Sequence, residues 1–78
     1  MKADVKKIRE MVAEILEVDI SEIGDDSNFI SDLAMNSLQM IDCIAELEDS
    51  YGIRIPREDI LNLDSVNNVV KYIEGIKS

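Results

Sequence analysis

Residues 32–40, DLAMNSLQM, hold a junction between two kinds of chain. Asn36 suits the position just before a helix, because its side-chain oxygen can accept a backbone N–H of the first turn. Gln39, three residues on, is placed to return the bond to Asn36. From Asn36 back to Val18 no period of either kind is sustained. In the other direction apolar residues recur three and four apart as far as Tyr51, and Gly52 is a natural stop. The junction therefore predicts a helix over residues 37–51, entered from a long irregular segment.

That helix carries two apolar stripes when its residues are placed about 100° apart. Met40, Cys43, Ile44, Leu47 and Tyr51 form the expected core face. Leu38, Ile41 and Ala45 form another, roughly a third of a turn away, with Asp42, Glu48 and Asp49 on and around it. A second stripe bordered by carboxylates has two readings. Either it widens the core, or it docks against an apolar surface with a basic rim.

Further out, Val5, Ile8, Met11, Val12, Ile15 and Leu16 recur at helical spacing and predict an amphipathic helix over residues 3–17. The connection between the two helices contains Gly24, three serines and several Asp and Asn residues. So long a connection must be held down or used. Val18, Ile20, Ile23, Phe29, Ile30 and Leu33 are the expected anchors, with a short helical turn near Ser21. Beyond Gly52, residues 53–56 are expected to be extended, because the residue before a proline is pushed out of the helical region. Pro56 then opens a short helix over residues 57–61 at its first position. Asp64 or Ser65 caps a last helix with the stripe Val66, Val69, Val70, Ile73 and Ile76. The expected fold is all-α: a small bundle of three main helices plus one short helix, with a long loop between the first and second. It forms one domain over residues 1–78.

The formal net charge is −9, and between Glu10 and Ile53 there are twelve acidic residues and no Lys or Arg. Phosphate binding needs the opposite charge, so neither nucleic acid nor an anionic membrane is an expected partner. The acidity serves solubility, or steers a partner with a basic patch. No apolar run approaches a membrane span, and Met1 to Lys7 leads into a charged amphipathic segment instead of a secretory leader. With the single cysteine, Cys43, this points to a monomeric cytoplasmic protein.

Ser37 is a poor nucleophile here. The chain has no histidine, and its few lysines stand near the two ends, so an activating base is missing. No Cys/His metal site is possible, and a calcium loop starting at Asp19 would have Ile30 where a bidentate Glu is required. Asp25 and Asp26 are at most loose attractors of divalent ions. No catalytic residue and no metal site are expected. The serine is thus a cap, a bystander, or a substrate for another protein's chemistry.

The stretch DLAMNSLQMIDCIAELEDSYGIRIP resembles the acyl carrier proteins, whose motif runs D-L-G-x-D-S-L into an acidic helix and on through F/Y-G to I-P. The likeness extends along the whole chain in helix order, loop lengths and charge. It implies that Ser37 bears 4′-phosphopantetheine, moved there from coenzyme A by a phosphopantetheinyl transferase, and that the arm's thiol carries acyl groups as thioesters. It also implies that Leu38, Ile41, Asp42, Ala45, Glu48 and Asp49 form the face recognised by basic patches on acyl-transferring and biosynthetic enzymes. Ala34 stands where the motif has Gly, and Asn36 where it has Asp, which removes a carboxylate available to the transferase. The acidic second helix is closer to fatty-acid or polyketide carriers than to peptidyl carriers. An aminoacyl carrier, for example of D-alanine, and an unmodified acidic interaction module are the alternatives.

Overall fold

A computed structural model describes residues 1–76; residues 77 and 78, at the end of the expected domain, lie outside it. The described residues form helices α1 (Val5–Leu16), α2 (Ser37–Tyr51), α3 (Arg57–Ile60) and α4 (Val66–Glu74), with a 3-10 turn at Ile20–Glu22. The all-α bundle expected from the sequence is present.

Local chemistry sets the boundaries. Helix α1 starts two residues later than expected, because the Asp4 side chain accepts the Lys7 N–H and makes Asp4 the cap. At α2, Asn36 accepts the Gln39 N–H at 2.8 Å while Gln39 accepts the Asn36 N–H at 2.9 Å. Gly52, at φ 62°, ends α2 in a conformation that glycine adopts without steric cost. Pro56 lies just outside α3 as its cap residue, not at its first position, and α3 closes at Ile60, one residue short of expectation. Ser65, not Asp64, caps α4 by accepting the Asn68 N–H. Asp64 instead receives the side-chain amides of Asn28 and Asn68. Ile76 falls beyond the end of α4 and is half-buried.

Helix α1 packs on both α2 and α4. The Asp4 N–H donates to the Tyr51 hydroxyl, so the start of α1 meets the end of α2 and the two run antiparallel. The Met1 amine reaches the Ile76 carbonyl at 3.2 Å, which sets α1 antiparallel to α4 as well. Ile8, Val12, Cys43, Leu47, Val66, Val69 and Ile73 fill the space between the three helices. Their burial is the main stabilising contribution, at roughly 1.5–3 kcal/mol for each large aliphatic side chain.

The connection over residues 17–36 is tied down. Phe29 is fully buried and its N–H donates to the Asp64 carbonyl at 2.7 Å. The Asn67 N–H donates to the Asp25 carbonyl, and Arg9 of α1 pairs with the Asp25 carboxylate. Among the expected anchors, Ile23 and Phe29 are buried and Ile20 and Leu33 half-buried, whereas Val18 and Ile30 are exposed. Met35, not among those expected, is buried in their place. Among the described residues no helix is long and apolar enough to cross a membrane.

Candidate modification site and docking face

The loop delivers Ser37 through a run of local hydrogen bonds. The Asn28 side chain accepts the N–H groups of Ile30 and Ser31, and Asp32 accepts the N–H of Asn28. The Met35 N–H then donates to the Phe29 carbonyl, folding the chain back onto its buried anchor. Ala34 takes the left-handed conformation, φ 56°, that this reversal requires. Ser37 follows as the first residue of α2 and is exposed. Asn36 and Gln39 make the cap between them, so the Ser37 hydroxyl has no capping duty.

The first turn of a helix presents backbone N–H groups and partial positive charge, which suits a phosphodiester. No bulky neighbour closes over the position: Asn36 and Leu38 on either side are exposed as well. The residues present therefore fit a phosphate-linked arm on the Ser37 oxygen.

Along α2 the two stripes behave differently. Cys43, Ile44 and Leu47 are buried, and Met40 and Tyr51 are half-buried. Leu38 is 68% exposed and Ile41 63%. Ala45, Asp42 and Asp49 lie open beside them. The structure thus brings Leu38, Ile41, Asp42, Ala45 and Asp49 onto one outward face and rules out a widened core there.

Glu48 departs from that group. It is half-buried, and its Oε2 accepts the Ile55 N–H at 2.8 Å. The helical wheel gave no sign of this, because the bond depends on how the chain turns back after Gly52. An apolar groove of about 180 Å³ lies between α2 and α3, lined by Met40, Ile41, Ile44, Ala45, Glu48 and Ile60. Leu61, just past α3, is 82% exposed. Ile60 and Leu61 were read from the sequence only as part of a short helix. Ile60 is half-buried and Leu61 exposed, and the signal available in the sequence was this adjacent apolar pair in the short segment after Pro56.

Asp25 and Asp26, expected to attract cations loosely, are engaged by Arg9 and by the Asn67 side-chain amide. Among the described residues no three His, Cys, Asp or Glu side chains gather to hold a metal ion. Burial, helped by the charge of Glu46, pushes the Cys43 thiol up to about 12. It stays protonated and enclosed at neutral pH.

Comparison with known proteins defines the class. Residues 6–73 match the family model described as the phosphopantetheine attachment site, and the chain belongs to that family, the acyl carrier proteins. It is 37% identical over 70 residues to the meromycolate extension acyl carrier proteins of Mycobacterium leprae (strain TN) and Mycobacterium tuberculosis (strain ATCC 25618 / H37Rv). That alignment covers 90% of this chain and 61% of each relative, so the chain spans about six-tenths of their length. It is 31% identical over 74 residues to the acyl carrier protein of Rhodococcus erythropolis (strain PR4 / NBRC 100887), covering 95% of this chain and 81% of that one. The prosthetic group is accordingly covalent 4′-phosphopantetheine, and the family is one of carriers, not catalysts.

Proposed function

We propose that this chain carries acyl groups as thioesters on a 4′-phosphopantetheine arm attached to Ser37, presenting them to fatty-acid, polyketide or related biosynthetic enzymes. The observation that carries the reading is the exposed Ser37 hydroxyl at the positive end of α2, relieved of capping by Asn36 and Gln39. Loading forms a bond from the Ser37 oxygen to the proximal phosphorus of coenzyme A and breaks the pyrophosphate link. Adenosine 3′,5′-bisphosphate leaves, and the serine proton goes to a base on the transferase, since this chain has none nearby. The relatives named for meromycolate extension favour an acyl cargo over an aminoacyl one.

The transferase and the biosynthetic enzymes dock on the face of Leu38, Ile41, Asp42, Ala45 and Asp49, with Glu48 at its edge. Opposite charge speeds the encounter, and the apolar centre sets how long the complex lasts. The carrier works as a monomer in the cytoplasm.

Intact mass after incubation with coenzyme A and a promiscuous transferase tests the reading. The wild type gains one phosphopantetheine, and Ser37→Ala, folded to the same helical signal, gains none. A gain in Ser37→Ala moves the site elsewhere. No gain in the wild type leaves an unmodified interaction module. Loading with acyl against D-alanyl donors then separates the two carrier types.

A further inference from the structure

Three backbone donors in the exit from α2 end on one residue. The N–H groups of Gly52 and Ile53 both donate to the Glu48 carbonyl, and the Ile55 N–H donates to the Glu48 carboxylate at 2.8 Å. Ile55 is buried, so this amide has no ready substitute in water if the carboxylate is lost. Downstream stands α3, only four residues long. A helix so short has no stability of its own and takes its position from the anchors at its ends. Those anchors are Ile55 before it, buried Leu63 after it, and the Tyr72 hydroxyl, which donates to Asp59 at 2.9 Å. Ile60 of α3 forms one wall of the apolar groove, and the stem of Glu48 forms part of the other.

We infer that Glu48 is a positioning residue that latches residues 53–56 to α2 through the Ile55 N–H, and thereby sets how closely Ile60 stands over the groove. Its carboxylate is turned to the chain's own backbone, unlike those of Asp42 and Asp49, which lie open on the docking face. The latch joins the docking helix to the groove wall, so a disturbance at Glu48 is transmitted to α3 without any contact between α3 and a partner. Its bearing on cargo rests on the carrier reading above; the latch itself does not.

Amide hydrogen exchange of Ile55 and the methyl resonances of Ile60, followed by NMR in the unmodified protein, test it. Glu48→Ala removes the acceptor and should speed Ile55 exchange about tenfold or more, with Ile44 and Leu47 unchanged and the Ile60 methyls shifted. Glu48→Gln keeps both the stem and a carbonyl acceptor, and should stay within about threefold of wild type. Where the alanine variant does not fold, Glu48→Met retains the stem, lacks the acceptor and gives the same contrast with Gln. Equal Ile55 exchange in all variants overturns the latch, as does Glu48→Gln matching Glu48→Ala. Because the measurement needs no arm, a wild type that fails to load at Ser37 overturns the carrier reading and leaves this result standing.

Discussion

Ala34 shows how a single side chain records the demands of its neighbourhood. Its φ of 56° is set by the reversal that returns Met35 to Phe29, and a methyl group makes that conformation costly. Ala34→Gly should therefore raise stability by ~0.5–1 kcal/mol, the relief being partly offset by a freer unfolded chain. A urea midpoint that does not rise would show that the surroundings already absorb the strain. Cys43 makes the opposite kind of point, since its environment silences a reactive group. Burial pushes the folded thiol up to about 12 from an ordinary 9.0. Below about 9 both states hold the proton and the stabilising difference is fully present; it falls away as pH rises from there toward 12. The urea midpoint of wild type should drop more between pH 8 and pH 10.5 than that of Cys43→Val. An aromatic disulfide reagent at pH 8 should label the arm of the loaded protein and spare Cys43. Equal alkaline slopes, or rapid labelling before loading, would contradict this burial.

Among the elements, α2 was the most legible in the sequence, because caps, stop residue and both stripes are local or periodic signals. Its bounds, cap and outward face follow directly from residues 36–52. The loop before it was less so. Val18 and Ile30 were expected to anchor it and are exposed, while Met35 is buried. What decides between them is the bond from Phe29 to the Asp64 carbonyl, thirty-five residues away, which no local pattern encodes. The inward turn of Glu48 depends instead on the path of the chain after Gly52, and the adjacent apolar pair Ile60 and Leu61 was the one hint of the groove. The docking proposal also belongs to this scale. Asp42→Lys should slow association with the transferase by about tenfold at low salt and flatten its salt dependence. Ile41→Ala should chiefly speed dissociation. Unchanged rates in both variants would place docking on another face.

For the molecule as a whole, like charge is the main internal conflict. Glu10 and Glu14 of α1 and Glu46 of α2 line one shallow cleft, with Lys7 the basic residue among them. Asp25 and Asp26, by contrast, already have partners. Added salt or millimolar magnesium should raise the melting temperature through the cleft carboxylates, not through the loop. Glu46→Gln should raise it by ~1–4 °C at low salt and shrink the response to salt. A response that survives in Glu46→Gln but vanishes in Asp25→Asn would reverse that assignment. The bond from the Met1 amine to the Ile76 carbonyl has a consequence of another kind. It brings both ends of the described chain together beside the end of α2, about 20 Å along that helix from Ser37. A leash fixed at either end would hold the molecule by its heel. Swinging on it, the molecule would sweep Ser37, at the far end of α2, through an arc about as wide as the helix is long.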